Sequence, residues 1–180
     1  MTARPKKPAV RRVLDAVYDA GGIVAAICLV AILLVIVAQM VTRWINISVP
    51  GLSEYAGYLM ASSSFLAFAH ALNRGAHIRV SILLNASGPL ARRILETWCF
   101  VIATALAWYF AYFAGKTAYQ SWRFNDISQG QDATPLWIPQ MAMVIGAILL
   151  AIALTDNLVG VLVSGRHRIR ADTVEQSHGE

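Results

Sequence analysis

The sequence predicts an all-α membrane protein with four transmembrane helices and both termini in the cytoplasm. Of its 180 residues, 57% are hydrophobic and only 14% are charged, whereas about 25% are charged in a typical soluble domain. Four apolar stretches are each long enough to cross the roughly 30 Å of hydrocarbon in a bilayer. The basic residues are concentrated in alternate connections between those stretches, and this pattern sets the orientation.

The first span is predicted at about residues 20–42, after a basic tail over residues 1–19 whose start, with Pro5 and Pro8, we expect to be disordered. Its apolar run, Gly21 to Met40, is 20 residues long, and the core of a cleaved signal peptide is shorter, about 7–15 residues. We therefore expect a retained helix. Arg43 and Trp44 follow the run and suit the headgroup zone.

The second span is predicted at about residues 52–72 and the third at about 94–116. Glu54 stands near the start of the second span, where the positive end of the helix dipole favours a carboxylate. His70 lies one turn before the end of that span. A hydrogen-bonded interfacial histidine is the simpler interpretation, and a haem or metal ligand is the alternative.

Residues 73–93 connect these two spans, and here the apolar sequence of the second span gives way to charged residues. Gly75, directly after Arg74, is typical of a helix end because glycine tolerates a positive φ. His77 and Arg79 then alternate with apolar residues. This pattern predicts a short helix lying in the membrane interface or, alternatively, a short extended segment.

The fourth span is predicted at about residues 137–163. It starts either with Thr134 as the helix cap and Pro135 in the first turn, or at Pro139. Asp156 interrupts the span near its far end. An ionisable residue at membrane depth is a functional candidate, and an ion pair with the arginines that follow is the simpler alternative.

The distribution of Lys and Arg predicts the topology. The tail 1–19 has five, the 73–93 connection has four and the tail 165–180 has three, against three in the other two connections. Positive residues remain on the cytoplasmic side, so both tails and the 73–93 connection are predicted there, with residues 20–164 as the membrane domain. Short basic clusters of this kind suit anionic lipid headgroups, and no nucleic-acid partner is expected.

No catalytic machinery can be assembled from the sequence. The two cysteines, Cys28 and Cys99, both fall inside apolar spans, where a cysteine behaves as a small buried hydrophobe. No metal-ligand spacing and no pairing of a nucleophile with a base is present. We therefore predict that the protein is not an enzyme and has no cofactor or metal site.

Two sequence stretches, in this order and topology, resemble a known family. They are FLAFAHALNRGAHIRV at the end of the second span and TPLWIPQ at the start of the fourth. The chain resembles the DctQ-type small permease subunit of tripartite ATP-independent periplasmic (TRAP) transporters. The positions that carry the resemblance are Arg74, Gly75, His77, Ile78 and Val80, followed by Thr134, Pro135 and Trp137.

The resemblance implies a function in transport. Such subunits sit in the bacterial inner membrane and pair with a large multi-span permease subunit, which carries the substrate and sodium sites. A periplasmic binding protein delivers an organic anion, often a carboxylate, and an ion gradient, commonly of sodium, drives its import. The small subunit enlarges the static scaffold, so the residues that select the substrate are expected on other chains.

Four residues are candidates for contacts outside the chain. Arg74 and His77 would bind membrane lipid headgroups or the cytoplasmic face of the large subunit. Glu54 and Trp137 would shape the periplasmic face that meets the large subunit or the binding protein. Simple anchoring in the interface explains each of them equally well.

Two other functions are alternatives to the transport function. A membrane anchor of a respiratory enzyme, holding haem b or quinone, would use His70, but the other histidines, His77, His167 and His178, lie outside the predicted hydrocarbon. An autonomous channel or exporter would need a polar stripe along one helix face. The only candidates, Ser62 to Ser64, are consecutive and therefore point in different directions.

Overall fold

The structure, a computed structural model, describes residues 9–47, 49–74 and 89–164. These residues confirm the all-helical class, because they form four helices and no strand beyond one isolated bridge between Ile127 and Pro135. The predicted interfacial segment after Arg74, the candidate His77 and the tail 165–180 lie outside the described residues. The helices are α1 (Ala9–Trp44), α2 (Leu52–Asn73), α3 (Pro89–Arg123) and α4 (Trp137–Ser164).

Three of the four helices are long and apolar enough to cross a membrane, over Val13–Trp44, Thr97–Arg123 and Trp137–Leu162. Helix α2 is the exception in composition. Its 22 residues make it about 33 Å long at a rise of about 1.5 Å per residue, but it carries Glu54, His70 and a run of three serines. Its length is therefore sufficient for a span, and its polarity is what sets it apart.

Helices α1 and α3 extend beyond the predicted spans. Helix α1 already begins at Ala9, within the predicted basic tail and well before the predicted start of the span at about residue 20. Helix α3 likewise runs from Pro89 to Arg123, past both limits of the predicted 94–116. The reason is physical: hydropathy falls at the first charged residues, whereas the backbone hydrogen bonds of a helix continue past them.

Both long helices end in the same way. Asn46 and Asn125 adopt left-handed backbone with φ of 54° and 50°, a conformation that asparagine tolerates at helix C-termini. The N–H of the next residue then returns to a carbonyl in the last turn. Ile47 donates to Thr42 and Asp126 donates to Ser121, each over 2.9 Å.

Helix α4 begins at Trp137, the start predicted for the fourth span. Pro139 falls in its first turn, where the missing N–H removes no intrahelical bond. Thr134 is not the cap of this helix. Its hydroxyl donates instead to the Asp132 carboxylate over 2.6 Å.

The helices pack as an open row in the order α1, α2, α4, α3. Among the described helices, extensive packing is confined to the three neighbouring pairs in that row. The ring of Phe65 on α2 and the ring of Phe110 on α3 stack over α4, with 5.6 Å between their centroids. Helix α2, which lacks the long apolar window of the other three, thus has a helix on each side, which reduces the lipid contact of its polar groups.

Glycines set the close approach of α2 to both neighbours. A Cβ built on Gly146 of α4 would lie 2.5 Å from the carbonyl carbon of Phe65, and one built on Gly22 of α1 would lie 2.7 Å from the His70 ring. Gly21 is similarly close to the Leu66 carbonyl oxygen, at 3.1 Å. Small residues allow such backbone contacts between helices in lipid.

Helices α3 and α4 meet along a seam of small residues on α3. One interhelical hydrogen bond supplements the seam, from Trp108 Nε1 to Thr155 Oγ1 over 3.1 Å. The large aromatic side chains of α3 consequently lie on its other sides. The buried members of the seam are Ala107, Ala111, Ala114, Ala118 and Ser121.

The close contact at Gly146 predicts that any side chain at this position lowers the stability of the protein. Gly146→Ala should lower the thermal stability of the purified protein in detergent, because overpacking a close contact costs about 1–3 kcal/mol. Gly57→Ala is the matched control, since a Cβ at Gly57 meets nothing within 4 Å. Thermal unfolding followed by size-exclusion chromatography measures both variants. Equal stability of Gly146→Ala and wild type would contradict the α2–α4 contact.

Candidate functional site

The connection between α3 and α4 folds back on itself at the end of the row where α2 and α4 begin, here called the outer end. Residues 124–136 form this outer loop. Ser128 N–H donates to the Thr134 carbonyl over 2.9 Å, and Leu136 N–H donates to the Asp126 carbonyl over 3.0 Å. These bonds make the outer loop a narrow hairpin with its tip near residue 130.

Glu54 holds the tip of the outer loop. Its Oε1 accepts the Gln131 backbone N–H over 2.6 Å, and its Oε2 accepts the Ser128 hydroxyl at 3.4 Å. Hydrogen bonds to a carboxylate are stronger than neutral ones. A Cβ on Gly130 would overlap the Glu54 carboxylate, so glycine is required for this approach.

Asp132 makes a second contact between the loop and α2. Its carboxylate accepts hydrogen bonds from the hydroxyls of Thr134 and Tyr55, which lower the pKa of Asp132. Gly51 starts α2 with a left-handed φ of 84°, and a Cβ there would lie 2.8 Å from that of Asp132. Glycine at this position therefore meets both a backbone and a space requirement.

Trp137 lies beside the outer loop, at the start of α4. It borders a shallow apolar groove of about 300 Å³ between α3 and α4. The indole is partly exposed, at 37%, so it can contact a neighbouring molecule or the headgroup zone. The other lining residues are Gly115, Ala118, Tyr119, Trp122, Met141 and Val144.

A charged cluster lies at the opposite, inner end of the row. Asp19 Oδ1 of α1 is 3.2 Å from His70 Nδ1 and 3.7 Å from Arg74 Nη2, both at the end of α2. The imidazole is within ion-pair distance of the carboxylate but lacks hydrogen-bond geometry to it. Half of the Arg74 side chain remains exposed. This environment supports the interpretation of His70 as an interfacial, interhelical histidine.

The predicted site residues are divided between the two ends. The structure brings Glu54 and Trp137 to the outer end, where the outer loop joins them, and it places Arg74 at the inner end. The sequence does not reveal the contact of the outer loop with Glu54, because the main donor to Glu54 is the backbone N–H of Gln131 and a backbone donor leaves no signal in the side chains. It also does not reveal Asp19 as the partner of Arg74.

Groups of three or more potential metal ligands do not occur among the described residues. Both cysteines are free there, Cys28 on α1 and Cys99 on α3. Asp156 lies partly buried on α4 and engages in a polar or electrostatic contact. The described site therefore consists of helix ends and of a loop held by Glu54 and Asp132.

Comparison with known families decides the identity of this arrangement. Residues 32–163 match the family described as the DctQ component of tripartite ATP-independent periplasmic transporters. The matched region is nearly three quarters of the chain. The chain belongs to the DctQ family. No curated protein gives a significant match to it.

Membership of the DctQ family confirms the resemblance seen in the sequence. The family is a transporter component rather than an enzyme family, and with three long apolar helices it indicates a membrane protein. The respiratory anchor gains no support from the match. The matched region of this DctQ chain contains Glu54, Arg74 and Trp137, whereas Asp19 of the inner end lies before it.

The contact of Gly130 with Glu54 predicts that Gly130→Ala releases the loop tip. The hydrogen bond from Gln131 N–H to Glu54 should then open about tenfold more often, because a bond to a charged group contributes about 1.5–3 kcal/mol. Hydrogen exchange of the Gln131 amide measures this opening. Gly115→Ala, where a Cβ meets nothing within 4 Å, should leave it unchanged. Unaltered exchange in Gly130→Ala would refute the contact.

The lowered pKa of Asp132 predicts a loosening of the outer loop in acid. The folded carboxyl has a pKa below its unfolded value of about 3.9, so its stabilisation is complete above that pH and is lost as the pH falls through the folded pKa. A nitroxide at Ala133, monitored by electron paramagnetic resonance, should become more mobile through this range. Asp132→Asn should remove that part of the transition, and an identical profile in the variant would argue against Asp132 as its origin.

Proposed function

We propose that this chain is the small scaffold subunit of a TRAP-type secondary transporter in the bacterial inner membrane. It acts together with a large multi-span permease subunit and a periplasmic substrate-binding protein. The complex imports an organic anion, in keeping with the carboxylates handled by the family, and an ion gradient, most simply of sodium, drives the import. Membership of the DctQ family supports each of these assignments.

The observation that carries the scaffold role is the distribution of polar contacts along the row. A transporter core uses broken helices and polar groups near the bilayer midplane. In the described chain all four helices are continuous, and the ion pairs and carboxylate contacts given above lie at the two ends. A row of this kind is better suited to a static scaffold beside a moving substrate carrier than to the carrier itself.

The proposed topology follows from the charge distribution. Residues 20–164 span the membrane four times, and both termini are cytoplasmic. The inner end with Asp19 and Arg74 then faces the cytoplasm, and the outer loop faces the periplasm. The strong basic bias of the tails and of residues 73–93 supports this orientation.

The candidate residues take their roles from this topology. Arg74, half exposed beside Asp19, and His77 contact lipid headgroups or the cytoplasmic face of the large subunit. Glu54 fixes the outer loop, and Trp137 borders the adjacent groove, so together they shape the periplasmic face offered to the large subunit or the binding protein.

The test of this function is purification of the tagged chain from native membranes in mild detergent, with mass spectrometry of what accompanies it. We expect a large multi-span permease in a ratio of about one to one. A flavoprotein or an iron–sulfur subunit instead would establish the respiratory anchor. Recovery of this chain alone, in a defined oligomer, would favour the autonomous channel.

The same purification tests Arg74. Arg74→Glu places a second acid beside Asp19 and should lower the yield of the large subunit severalfold. The charge swap that combines it with Asp19→Arg restores the internal ion pair without restoring an outside contact, so the yield should remain low. Full recovery in the swap would show that Arg74 serves only the packing of α1 on α2.

A further inference from the structure

Helix α3 presents two tyrosines on its exposed side, opposite the alanine seam. Tyr109 is 64% exposed and Tyr112 is 67% exposed. Their rings pack against Phe113, with centroid distances of 4.6 and 5.3 Å. Within the described part of the chain, neither hydroxyl has a hydrogen-bond partner.

Tyr109 lies well inside the apolar part of the helix, which runs from Thr97 to Gly115, and Tyr112 lies about 4.5 Å before the end of that part. At about 1.5 Å per residue, Tyr109 is about 18 Å from Thr97 and about 9 Å from Gly115. Helix side chains tilt toward the helix N-terminus, which directs these phenols away from the nearer end. The usual position of tyrosine in a membrane helix, with its hydroxyl at the headgroups, is therefore not reached.

A hydroxyl without a hydrogen-bond partner is unfavourable in hydrocarbon, so lipid chains are a poor cover for this surface. Phe113 fills the space between the two tyrosines without any such group. Lys116 adds a cation on the same side, with its Nζ 5.9 Å from the centroid of the Phe113 ring. Two hydroxyl donors and one positive charge are exposed together on a membrane helix. They require a neighbouring molecule that supplies acceptor oxygens.

We propose that a transmembrane helix of the large permease subunit covers this surface and accepts hydrogen bonds from Tyr109 and Tyr112. An acidic or carbonyl oxygen of the same helix lies near Lys116. The exposed positions Trp98, Ile102, Tyr109, Tyr112 and Lys116, here called the α3 stripe, follow the alternating three- and four-residue steps of a left-handed helix pair. This inference rests on the proposed function and identifies the surface through which it operates.

Photocrosslinking in native membranes tests the inference directly. p-Benzoylphenylalanine replaces Ile102, which leaves both tyrosines intact, or Leu34, a position on α1 that is at least as exposed. We expect the adduct with the large subunit to form predominantly from position 102. A dimer of this chain, a lipid adduct alone, or a permease adduct from position 34 and not from position 102 would each overturn the proposal.

Removal of the hydroxyls provides a second readout. The double variant Tyr109→Phe, Tyr112→Phe keeps both rings, so the chain should fold and elute as wild type. Its binding to the large subunit should weaken about fivefold to tenfold in a detergent titration, as expected for two interhelical hydrogen bonds. Tyr58→Phe, on α2 and outside the α3 stripe, is the control and should bind as wild type. Unchanged binding of the double variant would overturn the proposal.

These experiments separate the two levels of inference. If wild type recovers no large permease, the proposed function fails and the assigned surface fails with it. If wild type recovers the permease and position 102 does not crosslink to it, the surface alone fails and the scaffold function stands.

Discussion

Helices surrounded by hydrocarbon have no hydrophobic drive to associate, because lipid tails are as apolar as their side chains. The structure therefore depends on how closely the helix backbones can approach one another. At Gly146 the backbone of α2 is so near that no side chain fits, and Gly22 lets the His70 ring lie directly on α1. The alanine seam of α3 serves the same purpose against α4. Each neighbouring pair in the row thus has one partner that supplies small residues and one that supplies bulk.

Polar contacts then fix the two ends of a row whose middle is held by packing. At the inner end, Asp19 joins α1 to α2 through His70 and Arg74. At the outer end, Glu54 joins α2 to the loop that leads into α4. Because each contact bridges different elements, a tilt of α2 would have to break bonds at both ends. Rigidity of this kind is what a static scaffold beside a moving carrier requires.

The sequence predicted what depends on local composition, and it failed where partners are distant in the chain. The start of α4 at Trp137 and the turn at Gly130 follow from proline, glycine and hydropathy. The early start of α1 at Ala9 does not, because hydropathy indicates which residues suit the membrane and not how far the helix extends beyond it. The order of the row and the pairing of Asp19 with Arg74 depend on which surfaces fit together. No periodicity in a single helix contains that information. His77 remains a prediction, since it lies outside the described residues.

Among the four described helices, α2 is the one without a long apolar window, and the fold places other elements beside its polar groups. Ser62 and Ser64 return their hydroxyls to the carbonyls of Tyr58 and Met60, over 2.8 and 2.9 Å, so neither needs an outside partner. Glu54 at one end contacts the outer loop, and His70 at the other end lies beside the Asp19 carboxylate of α1. Helix α2 is thus stable in the membrane because α1, α4 and the outer loop complete it. The tyrosines of α3 have no such completion within the described chain, and for this reason we propose that another subunit supplies it.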